Sequence, residues 1–462
     1  MSEAPASVDP AIFKAYDVRG IYGDQIDAEV AYRVARAFAR VLADGEGKPA
    51  SELRVGLGRD MRLTAPELSE RYAQGLRDEG ADVLDVGEVG TEMLYFAVGS
   101  NDLDGGLMCT ASHNPKPYTG AKLVKRGAIA LSGDAGIGDV KMIVMAGDPG
   151  VPSQTPGAHE HRDVGEGFRR AAAAFIDAGA VRELKVVCDG GNGMAGPMVG
   201  PILDDLPIEQ VRTYWTPDGE FPDREPNPML PENRAFVVDK VRSEGAELGI
   251  AWDGDADRCF FIDDTGEFVA GDFLTALLAE SILAREPGAA ILYDVRASRA
   301  VADTVADGGG SAHPNRVGHA FFKTRMRDEG AAFGGEVSGH YYFRDFYCAD
   351  SGTIPALLIL ELLSVRGKRM SELLAPYRER YFISGEINSE VADQQARMDD
   401  IAARFSDGEI GRLDGLSVDY DDWHFNVRPS NTEPLLRLNL ESVVSPEHMA
   451  ERRDELLALI QA

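Results

Sequence analysis

Leu53-Arg-Val-Gly-Leu-Gly-Arg-Asp60, Leu184-Lys-Val-Val-Cys-Asp189 and Ala290-Ile-Leu-Tyr-Asp-Val295 each read as a short strand ending in charged or glycine-rich residues ahead of a helical segment. Apolar runs alternating with amphipathic stretches give the βαβ rhythm of mostly parallel sheets covered by helices. The echo implies three related α/β units. The breaker-rich stretch Gly147-Asp-Pro-Gly-Val-Pro-Ser-Gln-Thr-Pro-Gly157 suits the first boundary, and a second is expected near Asp263 to Gly271. The last part changes pattern. A long run from about Tyr377 to Glu390 precedes a helix-like stretch from Gln395 to Phe405 and strand candidates at Leu416–Tyr420 and Trp423–Val427. Leu435-Leu-Arg-Leu-Asn-Leu-Glu441 then alternates with period two, and a closing helix starts near Pro446. Alternation suits a sheet wet on one side, so this part reads as α+β. The expected fold is α/β: three related mixed-sheet domains, 1–157, 158–263 and 264–376, followed by a C-terminal α+β domain, 377–462.

A chain of 462 residues is long enough for three or four cores. Its 44% hydrophobic and 27% charged composition is that of a soluble globular protein. Asp and Glu number 77 against 47 Lys and Arg, a formal net charge of -30, which disfavours nucleic acid and anionic membrane as partners. An anionic substrate must then enter a locally positive cleft. The four cysteines, Cys109, Cys188, Cys259 and Cys348, form no Cys-x-x-Cys pair, so neither a disulfide framework nor a zinc site is signalled. The N-terminus lacks the basic start and apolar core of a signal peptide, and the apolar stretch Ile354–Leu363 is interrupted by Glu361 and too short to span a bilayer. A cytoplasmic location is expected.

Five loops carry chemistry. In Thr110-Ala-Ser-His-Asn-Pro115, Ser112 follows the strand-like Gly105–Cys109, and Asn114-Pro115 forces a turn, so its hydroxyl sits on a tight loop at a sheet edge where α/β sheets place ligands. His113, Lys116, Lys122 and Lys125 offer positive charge for a phosphate. In Asp253-Gly-Asp-Ala-Asp-Arg258 three carboxylates on alternate residues aim to one side. At about 5 Å apart each pair repels by roughly 3 kcal/mol at an effective dielectric of 20, which a hard cation relieves, and oxygen-only ligation points to Mg²⁺. A calcium EF-hand fits less well, because Arg258 stands at its glycine position and Asp264 at its final glutamate. Arg428-Pro-Ser-Asn-Thr432, with Arg437 nearby, can surround a phosphate, and Gly335-Glu-Val-Ser-Gly-His340 can read sugar hydroxyls. Arg316-Val-Gly-His319 completes the set. Together the loops describe phosphoryl transfer on a sugar phosphate. One competing signal is Gly191-Asn-Gly-Met-Ala-Gly196, a dinucleotide fingerprint after a strand, with Asp204, Asp205 and Glu209 near the ribose position. A nicotinamide cofactor would leave the Ser, Asp and Arg loops unexplained, so a structural turn is the preferred reading.

With Phe13-Lys-Ala-Tyr-Asp-Val-Arg-Gly20 at the start, these motifs resemble the α-D-phosphohexomutase superfamily, in its bacterial phosphomannomutase/phosphoglucomutase branch, along essentially the whole chain. The resemblance implies four domains around a central active-site cleft. It implies a reversible mutase in which phosphorylated Ser112 gives its phosphoryl group to a hexose phosphate and recovers one from the bisphosphate after that sugar has turned over. Mg²⁺ held by Ser112, Asp253, Asp255 and Asp257 is implied, with glucose or mannose 1,6-bisphosphate as activator. Arg19, Lys122 and His319 are carried over as catalytic candidates. Tyr16, His113, Arg258, Arg296, Lys323, Glu336, Ser338, His340, Arg428, Ser430, Asn431, Thr432 and Arg437 are carried over as substrate contacts. Arg296 departs from the Lys that family members often carry, which changes donor geometry. The expected activity is that of a phosphomannomutase, with the glucose pair as a second substrate. A phosphoglucosamine mutase is the nearest alternative, although its sugar loop usually has Gln where Val337 stands here. A Mg²⁺-dependent sugar phosphatase is more remote, because Asp257 stands where its motif needs Thr, and a non-catalytic sugar-phosphate sensor is a third reading. Partners are a hexose phosphate and, at most, a second copy of the chain, as monomer or homodimer.

Overall fold

The computed structural model describes residues 8–133, 136–147, 150–430 and 435–461. The chain divides into two compact units, one of residues 1–268 with 340–367 and the other of residues 269–339 with 368–462.

The echo seen in the sequence is a repeated three-strand core. Arg54–Arg59 lies between Asp82–Glu88 and Gly105–Cys109, both parallel to it. Leu184–Asp189 lies likewise between Ile208–Thr213 and Leu248–Trp252. In the second unit Ala290–Asp294 lies between Ser311–Asn315 and Phe333–Gly335. The first two cores each add an antiparallel strand, Tyr118–Lys125 on Gly105–Cys109 and Cys259–Asp263 on Leu248–Trp252. That makes the sheets mixed and turns the chain back over its own strand ends. The first sheet is extended by Asp17–Ile21 at one edge and His159–His161 at the other.

Helices form where apolar residues recur at helical spacing. Ala28–Glu46 starts on Asp27, whose carboxylate accepts the Glu29 and Val30 N–H groups at 2.9 and 2.8 Å. Its face of Val34, Phe38 and Leu42 packs into a core with Leu57, Leu68, Tyr72 and Leu107. Truncating one such ring to alanine costs about 3–5 kcal/mol. The apolar stretch from Ile354 lies in a helix, Thr353–Arg366, buried nearly all round within the first unit. Among the described residues no helix is long and apolar enough to cross a membrane.

In the last part the helix Gln394–Arg404 and the strands Leu416–Asp419, Trp423–Pro429 and Leu435–Ser442 occupy the expected stretches, and the closing helix runs Pro446–Gln461. The run from Tyr377 does not continue as one element. A helix ends at Arg380, and strands Phe382–Ile383 and Ile387–Glu390 are separated by Gly385 at φ 67°. Nor is the alternating strand wet along its whole outer face. Leu436, Leu438 and Leu440 enter the core, yet Asn439 and Glu441 on the opposite face are 7% and 2% exposed. Glu441 is covered because its carboxylate accepts the Arg299 N–H at 3.2 Å.

Candidate active site

Ser112 sits just past the end of the strand Gly105–Cys109 with φ at 49°, a left-handed backbone that costs a non-glycine residue about 1–3 kcal/mol. Surrounding bonds hold it there. Its N–H donates to Thr110 Oγ1 at 2.8 Å, and that hydroxyl donates to Asp60 at 2.6 Å. Arg62, 3% exposed, lies behind the loop and donates to four carbonyls: Ser112 at 2.8, Asn114 at 2.7, Pro115 at 3.2 and Tyr118 at 3.1 Å. Arg19 adds a bond to the Ala111 carbonyl at 2.8 Å and contacts to Asp17 and Asn114. The serine is thus clamped by two guanidiniums. Tyr16 stands half-buried just ahead of the strand that carries Arg19.

The Asp253 loop meets this serine. Ser112 Oγ donates to Asp253 Oδ2 at 3.0 Å and lies 3.2 Å from His113 Nδ1. Gly254 makes the approach possible, since a Cβ there would stand 2.6 Å from the Ser112 carbonyl oxygen. Asp253, Asp255 and Asp257 are each 0% exposed, and one oxygen from each falls within 4.8 Å of the others. Lys122 Nζ donates to Asp255 at 2.6 Å and to Asp257, while Arg258 Nε donates to Asp253 at 2.8 Å. Three carboxylates against two cations leave one negative charge unmatched. The Oδ1 atoms of Asp255 and Asp257 are buried without a hydrogen-bond partner. Buried carboxylate oxygens in that condition are costly, and a hard divalent cation is the group that such an all-oxygen set takes.

Titration follows the same balance. Burial opposes the charge on Lys122, but Asp255 and Asp257 outweigh it and hold its pKa well above the ordinary lysine range. Burial, then the charge of Asp255, pushes Asp257 up to about 7. Burial and the guanidiniums of Arg258 and Arg19 hold His113 well below the usual imidazole range, so that ring is neutral. His340 joins this group. Its Nδ1 lies 2.9 Å from Asp350 Oδ2, and Asp257, His340 and Asp350 form a second cluster of potential ligand atoms. Not every lysine of the stretch belongs here. Lys116 pairs with Glu220 at the surface, and Lys125 faces Gly105 at the far end of the strand.

The second unit gathers the other expected residues. Arg296 forks onto Asp294 at 3.1 and 2.8 Å and reaches Glu386 at 3.1 Å. Arg437, paired across strands with Arg428, donates to Glu386 at 3.0 Å, and Arg428 reaches the same carboxylate at 3.5 Å. Three guanidiniums on one carboxylate leave an electropositive pocket suited to a phosphate. Burial opposes ionisation of Glu386, but Arg296, Arg437 and Arg428 hold its pKa below the usual range. Glu336, 1% exposed, accepts the Gly318 N–H at 2.9 Å, and Asp294 accepts the Val337 N–H at 2.8 Å, so the Gly335–Gly339 loop is fixed at two neighbouring residues. Ser338 stands half-buried on that loop. His319 opens the helix His319–Glu329, with the buried Lys323 one turn on along the same face. Ser430 is 9% exposed, and Asn431 and Thr432 lie outside the described residues.

Sequence reasoning passed over Arg62, Glu386 and Asp350. Only Arg62 had a local signal, lying two residues beyond Asp60 at a strand end. The dinucleotide fingerprint has a structural origin. A Cβ at Gly193 would stand 2.5 Å from the Gly254 carbonyl oxygen, and the Met194 N–H donates to that oxygen at 2.9 Å. The glycine turn therefore props up the aspartate loop.

Comparisons agree along the chain. Family models described as phosphoglucomutase/phosphomannomutase match it in four parts: alpha/beta/alpha domain I at 10–140, domain II at 167–266, domain III at 270–381 and the C-terminal domain at 386–459. A phosphomannomutase from Salmonella montevideo is 42% identical over 458 residues, covering 97% of this chain and 99% of that protein. A phosphomannomutase from Escherichia coli K12 is 42% identical over 456 residues, covering 97% and 98%. The crystal structure of a phosphoglucomutase/phosphomannomutase family protein from Burkholderia thailandensis superposes with a TM-score of 0.88 at 35% identity, covering 98% of this chain and 97% of that one. With a strained serine against an aspartate triplet, and with matches spanning both units, the chain belongs to the phosphoglucomutase/phosphomannomutase family.

Proposed function

We propose that the chain is a phosphomannomutase that interconverts mannose 6-phosphate and mannose 1-phosphate through phosphorylated Ser112 and a hexose 1,6-bisphosphate, with the glucose phosphates as a second substrate pair. The observation that carries this reading is the Ser112 hydroxyl, strained and 3.0 Å from a buried aspartate triplet that holds two unpartnered oxygens.

In the forward step the bond between phosphorus and Ser112 Oγ breaks as a sugar hydroxyl oxygen bonds to phosphorus. The hydroxyl proton passes to a base and the serine oxygen regains one when it leaves as a hydroxyl. The reverse step returns the other phosphoryl group. Asp253, Asp255, Asp257 and the phosphorylated Ser112 would hold Mg²⁺, which would supply charge neutralisation for the transferring group. Lys122 stays cationic between Asp255 and Asp257 and acts as a fixed charge. His113, neutral and 3.2 Å from the serine oxygen, is placed to exchange the serine's proton. His319 is the candidate for the sugar's proton. Arg19 holds the serine loop, and Arg258 orients Asp253. Glu336, Ser338 and His340 read sugar hydroxyls. Arg296, Arg428, Arg437, Ser430, Asn431 and Thr432 bind the phosphate that is not reacting, with Lys323 and Tyr16 supporting substrate. Four separate buried thiols suit a reducing cytoplasm, which is part of this reading.

Incubation with mannose 6-phosphate, Mg²⁺ and a trace of glucose 1,6-bisphosphate should yield mannose 1-phosphate. Absence of turnover with both mannose and glucose phosphates rejects the proposal.

A further inference from the structure

A second group of metal-ligating side chains lies at the edge of the first sheet, away from Ser112. The edge strand His159–His161 runs parallel to Asp82–Glu88, with His161 opposite Asp85. Residues two apart on a strand project to one face, so both imidazoles lie on the side of the Asp85 carboxylate. His159 Nε2 and His161 Nδ1 each stand 3.3 Å from the same atom, Asp85 Oδ2, and the two rings are 4.7 Å apart between centroids.

These separations are longer than an ordinary N–H···O bond, whose usual distance is about 2.9–3.0 Å. They match the edge of a tetrahedron around zinc, about 3.3–3.4 Å for bonds of about 2.0–2.1 Å. The other oxygen, Asp85 Oδ1, accepts the Gly87 N–H at 2.8 Å, which fixes the carboxylate and aims Oδ2 at the rings. Asp85 is 9% exposed at its side chain and His161 is 74% exposed, so one side is anchored and the other open to entry and to a water ligand. Two imidazoles with one carboxylate suit a borderline transition metal better than Mg²⁺.

We infer that Asp85, His159 and His161 form a site for a Zn²⁺-class ion that ties the three-residue edge strand to its neighbour. The site is independent of turnover at Ser112. The strand is otherwise joined to its neighbour through main-chain pairing, with Val83 N–H to the Ala158 carbonyl and Arg162 N–H to the Asp85 carbonyl, each 2.9 Å. An ion bridging the strands therefore adds a side-chain cross-link between the three-residue edge strand and its neighbour.

The test is metal content after equilibration of the full chain with micromolar Zn²⁺ under millimolar Mg²⁺, followed by desalting, for the wild type and for the double variant His159→Ala/His161→Ala. Zinc captured by the aspartate triplet is common to both and cancels. The wild type should retain one more zinc per chain, and Co²⁺ substitution should give a tetrahedral visible band that the double variant lacks. Both proteins should keep equal mutase activity in Mg²⁺, which reports an intact fold. Equal zinc content, with no cobalt band that depends on the histidines, overturns the inference and leaves a hydrogen-bonded surface cluster. Asp85→Asn should weaken zinc binding at least tenfold, and unchanged affinity counts against the site as well.

Discussion

The Ser112 region and the Glu386 region are electrostatic opposites built to one plan. Around Ser112 three carboxylates meet two cations, Lys122 on Asp255 and Asp257 and Arg258 on Asp253, and around Glu386 three guanidiniums meet one carboxylate. Each cluster carries a counter-ion from its own chain and still has charge to spare. They differ in access. The aspartates are 0% exposed, whereas the Glu386 side chain keeps 25% of its surface and Arg437 27%. A sealed site suits an ion that stays, and an open one suits a phosphate that arrives and leaves at every turnover. Burial, more than charge, separates resident from visitor.

The contrast can be broken most severely at the serine. Ser112→Ala should lower turnover by about 10,000-fold or more, as loss of a covalent nucleophile does in serine hydrolases. The thermal midpoint should hardly move, because a loop hydroxyl adds little packing; the check is kinetics beside a melting curve. At the open site Arg428→Ala should raise the KM for the hexose phosphate by about 10–100-fold, the ~1.5–3 kcal/mol of a charge-assisted bond, with kcat less affected. Glu386→Gln should do the reverse. Removing the internal anion leaves the guanidiniums for substrate, so KM should fall by about fivefold, the ~1 kcal/mol of a partly exposed pair. A rise in KM would mean that Glu386 positions the arginines instead of competing with phosphate.

The smallest effect concerns the buried acids behind the two regions. Burial raises Glu92, which accepts hydroxyls from Ser351 and Thr353, to about 8, and raises Glu441 to about 7. A carboxyl whose pKa is higher folded than unfolded stabilises the fold while protonated, so its contribution is lost as pH rises from about 4.5 through the folded value. Melting curves from pH 5 to 9 should therefore fall less steeply for Glu92→Gln than for the wild type, with the difference confined to pH below about 8. A difference of about 2–4 °C corresponds to ~1 kcal/mol for domains of this size.

How much of this was legible in the sequence depended on how local the signal was. The repeated strand cores and the last helix could be read because their patterns span only a few neighbouring residues. Ser112 and the aspartate triplet could be read because proline, glycine and alternate carboxylates restrict what such loops can do. Arg62 and Glu386 could not. A glutamate near a strand carries no pattern of its own and a loop arginine only the weak one of following Asp60 at a strand end, and their meaning comes from partners 50 to 56 positions away for Arg62 and 42 to 90 for Glu386. The outer face of Leu435–Ser442 failed for the same reason, since Glu441 is covered by Arg299 from a distant part of the chain. The glycine fingerprint could be set aside in favour of a structural turn only because the other loops left a nicotinamide cofactor without a role, since a turn that packs closely on backbone has the same spacing as one that cradles a pyrophosphate.

The most direct test of the account is where phosphate resides on the enzyme. After brief incubation with glucose 1,6-bisphosphate labelled in its phosphoryl groups, peptide mapping should find up to one label per chain, on the peptide bearing Ser112 and absent from Ser112→Ala. Label on another residue, or full turnover with Ser112 unlabelled, would contradict it.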